Sequence, residues 1–353
     1  MSNSATTDIL IIGAGLTGLT LARNLEQQGR QYLVLEARDR IGGRIHTHKT
    51  ENGPKVELGA TWFFPNFKTL YKLLKDINVQ LKEQFMKGYT LHENDETQKP
   101  RKIYSSASND MFRISGGTSN IIKTIHDNLT NKNNVLLSQQ VKRISMKGSG
   151  MEVETTAGSV FKCNKVVTTI PPQLLYYSVQ FEPKLPENLS QIMRKTHTWM
   201  GDSVKGVVTY DNAWWKDQGF SGGLYSNNGP VVQMYDQSDE NGAAFVGFLE
   251  DSSADKSQEQ RKEAVIQQLI RVFGEKAANY KEYRDTAWKH EPFTMPPGVP
   301  RLSRHSNVGH RIYQESYMEG RLYIGGTESS SYAGGFMEGA VFSANTIADK
   351  LSK

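Results

Sequence analysis

Two short apolar runs, separated by a helical pattern, open the chain. Residues 9–12 and residues 32–35 are unbroken apolar runs. Such runs predict strands buried on both faces of a parallel sheet. Between them, apolar residues recur at helical spacing from Leu19 to Leu25, and Gly29 predicts the end of the helix. The pattern therefore predicts a strand–helix–strand unit at the start of the chain.

The turn between the first strand and the helix is rich in glycine. Gly13, Gly15 and Gly18 form a G-x-G-x-x-G pattern, and Glu36 closes the second strand. This context is typical of a dinucleotide site, in which the glycines allow a tight turn, close approach to a pyrophosphate and close helix packing. The phosphates would lie at the helix N-terminus. The Glu36 carboxylate would accept hydrogen bonds from the ribose hydroxyls and would repel a 2′-phosphate, so NADP is not expected.

The residues that follow indicate which dinucleotide binds. Residues 36–44 read E-A-R-D-R-I-G-G-R. This run resembles the second signature of glutathione-reductase-type FAD proteins, in the branch of the flavin-containing amine oxidases. The resemblance implies FAD, with Arg44 as a fixed charge for its phosphates. The expected contacts in this segment are Gly13, Gly15, Leu16, Thr17, Gly18, Glu36, Ala37, Arg38, Gly42, Gly43 and Arg44.

Later segments resemble the same family. Residues 56–62 resemble the segment that passes the flavin ring, and residues 135–144 alternate as a strand whose valine backbone meets the adenine. Helices are predicted over residues 66–81 and after the glycines at 116 and 117. These segments add the expected contacts Gly59, Ala60, Thr61, Trp62 and Val141, and Trp288 is added because the family often has a tryptophan at that point before the flavin.

The C-terminal block carries a second strong match. Residues 320–328 predict a strand that ends in a glycine turn and an acid, and an apolar helix runs to Leu351. In the family this G-x-E…G-x-M-x-G-A pattern places the ribityl chain near the acid and aims the helix N-terminus at the flavin pyrimidine. The expected contacts here are Gly326, Thr327, Glu328, Gly335, Phe336 and Met337.

The resemblance also implies the chemistry of the site. An apolar aromatic pocket favours the neutral form of an amine and aligns its C–H bond for transfer of a hydride to the flavin. Phe336 occupies the position of one cage tyrosine of the monoamine oxidases. With Trp62 and Tyr332 it is expected to form the catalytic wall, whereas core packing is favoured for Trp214 and Trp215.

Three departures from the family pattern matter. No cysteine lies near residues 288–298, so FAD is expected to bind noncovalently, and the second cage tyrosine is missing there too. Many members carry a lysine just after the strand written here at residues 243–249. Lys205 lies on a different strand and Lys256 comes too late in the sequence, so neither is equated with the family's lysine. Its absence argues against fast reoxidation of the flavin by oxygen and against a standard amine substrate.

These segments predict an α/β fold with two domains. A Rossmann-type, NAD(P)-binding-like FAD domain, built of a parallel sheet with helices, is expected over residues 1–75, 110–180 and 295–353. An inserted α+β substrate-binding domain with a mixed sheet is expected over residues 76–109 and 181–294. The length of 353 residues supports two cores.

Composition narrows the class of protein. The net charge of +5 comes without a long basic run, so nucleic-acid binding is not expected. The single cysteine, Cys163, sits among apolar residues, which fits a reducing compartment. No apolar run approaches the ~20 residues that span a bilayer, and no signal peptide is apparent. The expectation is a cytoplasmic enzyme without a metal, acting on a small amine with O2 as electron acceptor.

Two alternatives stay open at this stage. One keeps the fold but changes the substrate, as in renalase-like proteins, phytoene desaturases or protoporphyrinogen oxidases. The other is a flavin-binding module without turnover.

Overall fold

Strands and helices alternate through the part of the chain that the structure describes. The computed structural model describes residues 4–51, 53–95, 97–106 and 110–352. The strands are β1 (Ser4–Ile12), β2 (Tyr32–Leu35), β3 (Thr47–Lys49), β4 (Lys55–Glu57), β5 (Leu81–Glu83), β6 (Gly88–Glu93), β7 (Arg101–Ser105), β8 (Phe112–Ile114), β9 (Val135–Leu136), β10 (Val141–Lys147), β11 (Gly150–Thr155), β12 (Val160–Thr168), β13 (Gln180–Glu182), β14 (Val204–Tyr210), β15 (Phe220–Ser226), β16 (Val231–Asp236), β17 (Ala243–Leu249), β18 (Glu282–Ala287), β19 (Ser316–Tyr317) and β20 (Leu322–Ile324). The α-helices are α1 (Leu16–Gln27), α2 (Lys68–Asp76), α3 (Ser119–Asp127), α4 (Pro172–Ser178), α5 (Glu187–Arg194), α6 (Trp214–Asp217), α7 (Gln258–Phe273) and α8 (Met337–Leu351).

A nine-stranded sheet carries the first strand–helix–strand unit. Its main path runs β13-β10-β11-β12-β1-β2-β9, and the two remaining strands extend it, because β20 pairs with the end of β12 and β19 pairs with β20. β1 is parallel to both β2 and β12, with Ile9 opposite Tyr32 and Lys165. Residues 9–11 are fully buried, as expected for a central parallel strand covered on both faces. The predicted α/β fold is confirmed, and this first sheet is mixed, since β11 is antiparallel to both β10 and β12.

Helices α1 and α8 pack together on this sheet. Leu19, Leu21 and Leu25 of α1 share one apolar core with Ala344 and Ile347 of α8. A hydrogen bond of 2.8 Å from Asn24 Nδ2 to Asn345 Oδ1 links the same two helices. The beginning and the end of the chain are therefore held side by side, which brings the two glycine-rich turns that precede these helices together.

The second large sheet has seven strands, in the order β18-β14-β17-β16-β15-β6-β7. Its core includes Trp214 and Trp215, which are buried, and the rings of Trp215 and Phe245 lie 3.9 Å apart between centroids. The two tryptophans therefore pack in a core, as favoured from the sequence. Helix α7 covers this core through Val265 and Leu269.

Two predicted elements have different limits in the structure, and α7 begins at a capping motif. The strand expected over residues 135–144 is interrupted between β9 and β10, because Ser138 has a φ of 57° and residues 138 and 139 donate to the carbonyls of Arg38 and Glu36. α2 is shorter than expected, and the chain reverses at Asn78, whose φ is 55°. α7 begins only after Ser257, which forms a capping box with Gln260.

The two sheets draw on different parts of the chain. The nine-stranded sheet uses residues 4–35, 135–182 and 316–324, and the seven-stranded sheet uses residues 88–105 and 204–287. The domain boundaries themselves stay a prediction. Within the described ranges, no helix combines the length and apolarity needed to cross a membrane.

Candidate active site

One cavity of about 400 Å³ lies between the starts of α1 and α8. Gly15 and Gly335 both line it, although they are far apart in sequence. Most residues that the sequence predicts for the site lie in its wall: Gly13, Gly15, Leu16, Thr17, Glu36, Ala37, Arg38, Gly42, Gly43, Arg44, Ala60, Thr61, Trp62, Val141, Thr327, Gly335, Phe336 and Met337. The fold therefore gathers both motifs around one space.

One end of the cavity is built around Glu36. Its carboxylate accepts hydrogen bonds from the backbone N–H of Ala14 at 2.8 Å and of Arg38 at 2.9 Å. These bonds fix the carboxylate, which is 4 % exposed, between the glycine turn and the second signature. We call this the nucleotide end.

The glycines of the first turn have two different functions in the structure. A Cβ at Gly18 would lie 1.9 Å from the carbonyl oxygen of Gly13, so this glycine is required for helix packing. A Cβ at Gly15 would meet only the carbonyl oxygen of Gly42, at 4.0 Å. The space beside the backbone of Gly15 is therefore open. A ligand that approaches this backbone closely needs such a space.

Arg44 joins the two motifs by an ion pair. Its guanidinium donates to both oxygens of Glu328, at 2.5 and 2.9 Å, and to the carbonyl of Trp199 at 2.6 Å. Glu328 is fully buried and lies behind the wall. Glu328, the acid expected near a ribityl chain, therefore holds the guanidinium of Arg44 in place.

The other end of the cavity is aromatic. Trp62 packs edge-on against Tyr235 at 5.0 Å and lies 6.0 Å from Phe248, and Phe336 contacts Trp199 at 6.2 Å between ring centroids. All five residues line the wall. The Phe336–Trp199 pair is in direct ring contact, so an amine has no room between these two rings. We call this region the amine end.

Lys205 lies in the wall of the amine end. It comes from β14, where it pairs with Phe248 of β17, and its side chain is fully buried. Its Nζ donates to the carbonyl of Gly59 and to Thr61 Oγ1. Burial lowers the pKa of Lys205 to about 7, and the negative charge of Glu57 opposes that shift.

Glu57 supports this arrangement from behind the wall. It accepts hydrogen bonds from Thr47 Oγ1 at 2.9 Å and from the Thr118 N–H at 2.8 Å. Burial raises the pKa of Glu57, while the Thr118 N–H and the positive charge of Lys205 lower it. A buried cation and a buried anion therefore stabilise each other's charged forms.

Several predicted residues lie outside the wall. Gly18 and Gly59 pack against backbone, where a Cβ would collide with the carbonyl oxygens of Gly13 and Arg44 respectively. Gly326 adopts a φ of 110° beside Thr169. The Glu328 carboxylate binds Arg44, as described above. These four residues shape the site without facing the cavity.

Two aromatic residues predicted for the site lie outside the wall of this cavity. Trp288 is fully buried, and its indole N–H donates to the carbonyl of Leu58 at 2.9 Å, so it supports the segment of residues 58–62 from behind. Tyr332 is 45 % exposed and packs on Phe342, because the loop before α8 turns it outwards. Its position gives no support to the predicted catalytic role.

Sequence reasoning missed Lys205, Trp199, Gln233, Tyr235 and Phe248 as wall residues. A signal for Lys205 was available, since a single lysine inside the apolar run of residues 204–210 indicates a buried charge. Gln233 and Tyr235 alternate on β16 and so share one face. No local pattern marks Trp199, whose position depends on the packing of residues 197–202.

Among the described residues, no group of three or more His, Cys, Asp or Glu side chains forms a metal site.

Comparisons with known proteins agree with this geometry. The family model described as flavin containing amine oxidoreductase matches residues 16–108 and 99–352. The chain is 24 % identical to the probable flavin-containing monoamine oxidase A of Dictyostelium discoideum, covering 98 % of both proteins. It is 22 % identical to the flavin-containing amine oxidase A of Sus scrofa, covering 98 % of this chain and 84 % of that protein.

Solved structures show the same fold. Wild-type putrescine oxidase bound to putrescine superposes with a TM-score of 0.85 at 19 % identity, over 99 % of this chain and 100 % of that one. Cyclohexylamine oxidase from Brevibacterium oxydans superposes with a TM-score of 0.82 at 20 % identity, over 98 % and 100 %. The alignment to the Dictyostelium protein spans 460 positions, whereas this chain has 353 residues, so over a hundred aligned positions have no counterpart here.

The family resemblance that the sequence motifs suggested is thereby confirmed, and with it an oxidoreductase that uses a flavin. The matched ranges include Glu36, the second glycine turn and the aromatic wall. The chain belongs to the flavin containing amine oxidoreductase family.

Proposed function

We propose that this protein is an FAD-dependent oxidase of a small amine, with O2 as electron acceptor and FAD bound noncovalently. The observation that carries the proposal is the single cavity lined by both Gly15 and Gly335, with Glu36 at one end and Trp62 and Phe336 at the other. Such a space suits an elongated dinucleotide whose ring end meets the substrate.

The nucleotide end fits FAD. The open space at Gly15 allows a pyrophosphate to approach the backbone, and the first N–H groups of α1 have no partner within the helix. Glu36 is held by two backbone bonds in a position suited to ribose hydroxyls. Val141 lines the wall beside it, in line with a role at the adenine.

The amine end fits the reaction. Bound FAD supplies a two-electron acceptor for oxidation of the amine. The rings of Trp62, Tyr235 and Phe336 exclude water and favour the neutral amine over its ammonium form. Phe336 and Met337 begin α8 at the wall, so the unpaired N–H groups of this helix end can stabilise negative charge nearby.

Noncovalent binding is supported by the place of the only cysteine. Cys163 lies on β12, is 4 % exposed and packs in the core with Leu10 and Val166. Burial raises the pKa of its thiol to about 12. Acid precipitation of the yellow protein should release all flavin into the supernatant, and colour retained in the pellet would contradict noncovalent binding.

Lys205 supports O2 as the acceptor. It is the one lysine of the described wall, and a cation there would stabilise negative charge that develops on oxygen during reoxidation. Lys205→Met should slow reoxidation of the reduced enzyme by about 10²-fold. Flavin reduction by the amine should change much less. An unchanged reoxidation rate would remove oxygen activation from the role of Lys205.

The non-amine alternative has less support once the structure is considered. Its main argument was a missing lysine, and Lys205 occupies the wall.

A cytoplasmic location also remains part of the proposal, supported by the single buried cysteine.

An anaerobic substrate screen tests the proposed reaction. Purified holoenzyme is mixed with a panel of small amines without oxygen, and bleaching of the flavin absorbance is followed. Bleaching by at least one amine is expected. If no amine bleaches the flavin while a polyene or NADH does, amine oxidation is wrong.

A further inference from the structure

The amine end has an unusual charge balance. Its wall is formed by Trp62, Phe64, Trp199, Gln233, Tyr235, Phe248 and Phe336, together with Lys205. Among the wall residues that the structure describes, Glu36 is the one carboxylate, and it belongs to the nucleotide end. The amine end therefore presents aromatic rings, one neutral amide and one lysine.

Carboxylates close to this wall are already engaged. Glu57 accepts from Thr47 and Thr118, and Glu328 binds Arg44. Glu338 is fully buried and accepts from the N–H groups of residues 69 and 70, at the start of α2. None of the three lines the cavity, so none offers a free oxygen to a substrate.

A second ammonium group would be poorly accommodated here. Removing a cation from water without a counter-charge is costly. Cation–π contacts could offset part of that cost, but Lys205 Nζ already lies 4.7 Å from the Trp62 ring centroid and 5.2 Å from that of Phe248. While protonated, the same lysine would also repel a distal ammonium.

Gln233 is the polar side chain placed to decide this selectivity. It lies on β16 opposite Phe248, and its Nε2 donates to the Tyr235 hydroxyl at 2.6 Å. The Tyr235 hydroxyl is itself bonded to that of Tyr225 at 2.5 Å, which fixes the geometry. Glutamate has nearly the same shape as glutamine, so a change at this position alters charge more than packing.

We propose that the amine end selects substrates with a single amino group over diamines of equal length, and that the uncharged side chain of Gln233 sets this selectivity. The inference rests on the proposed amine oxidation. It separates this site in chemistry from that of putrescine oxidase, which shares the fold and binds a diamine.

The test compares matched amines on the holoenzyme. Butylamine and 1,4-diaminobutane, hexylamine and 1,6-diaminohexane, and benzylamine and its 4-aminomethyl derivative are mixed anaerobically with enzyme. The second-order rate of flavin reduction is measured for each. The monoamine should react faster than its diamine by roughly 30-fold or more.

Variants test the position. Gln233→Glu should lower the monoamine-to-diamine ratio at least about tenfold, whereas Gln233→Leu should preserve it. Gln267→Glu on the exposed face of α7 adds the same charge far from the wall and should leave the ratio unchanged.

The outcomes separate the two claims. Equal rates for both members of each pair, or faster reduction by the diamine, would overturn the selectivity and leave amine oxidation standing. An unchanged ratio in folded Gln233→Glu would overturn the role of Gln233. Failure of every amine to reduce the flavin would overturn the proposed function and the inference together.

Discussion

The ammonium of Lys205 lies 4.7 Å from the centre of the Trp62 ring, inside a cavity wall that both residues share. The two come from distant segments, since Trp62 follows β4 and Lys205 belongs to β14. Lys205 also donates to Gly59 and Thr61, so it fixes the backbone that leads into Trp62. One lysine therefore couples the charge of the amine end to the position of its main aromatic ring.

The lowered pKa of Lys205 predicts a pH-dependent stability. In the folded protein the pKa is about 7, whereas an unfolded lysine titrates near about 10.4. Between these values the unfolded chain binds a proton that the folded protein lacks, so the free energy of unfolding rises with pH. Below about pH 7 both states are protonated, and the contribution of this group is constant.

Lys205→Met removes this contribution. Between about pH 7 and pH 10, the slope of unfolding free energy against pH should be lower in the variant by up to about 1.4 kcal/mol per pH unit. Urea unfolding at several pH values measures both slopes. Identical slopes in the two proteins would show that Lys205 titrates normally in the folded state.

Two alanine substitutions at the first glycine motif should affect different properties, one the stability of the protein and the other its affinity for FAD. Gly18→Ala places a methyl group against the carbonyl of Gly13, so it should destabilise the protein by about 3 kcal/mol or more. Gly15→Ala meets no close atom, so stability should change by about 1 kcal/mol or less. The same methyl group would occupy space intended for the cofactor, and FAD affinity should fall at least about tenfold.

Thermal unfolding and fluorimetric titration with FAD separate the two effects. Normal FAD affinity in Gly15→Ala would mean that the pyrophosphate does not approach this backbone. Normal stability in Gly18→Ala would mean that the turn relaxes to admit a side chain.

Glu36→Gln should weaken FAD binding with limited effect on the fold. Each oxygen of Glu36 accepts one of the bonds from Ala14 and Arg38, so the amide keeps one of these bonds, loses the other, and loses the charge proposed to hold the ribose hydroxyls. A loss of about 1.5–3 kcal/mol is expected, or roughly 10–100-fold in affinity. Glu26→Gln is the control, because that carboxylate also accepts a backbone N–H, from Thr130, but lies outside the wall. Equal affinities in all three proteins would reject the ribose assignment.

The Arg44–Glu328 pair should be strongly coupled. Glu328→Met leaves the Arg44 cation without its carboxylate partner against a buried apolar side chain, and a loss of about 3–5 kcal/mol is expected. Replacing both residues by methionine should be less damaging than the sum of the single changes, since no charge is then left unpaired. Urea unfolding of the four proteins gives the coupling free energy, and additive effects would contradict a direct pair.

The sequence located the nucleotide end almost completely. Gly13, Gly15, Glu36 and Arg44 are close in sequence, and their spacing within one strand–helix–strand unit dictates where they meet. Local geometry is enough there, because a turn and its two flanking strands place all of these groups. The same holds for Phe336, which directly precedes α8.

Only the tertiary structure decided the amine end. Lys205 faces Trp62 because of the register between β14 and β17 and because β4 leads the segment of residues 58–62 across them. Tyr332 turns outwards because of a loop path that no periodicity encodes. Short-range spacing therefore determined which residues form the nucleotide end of the cavity, while long-range strand pairing, which a single sequence does not reveal, determined which side chains form the amine end.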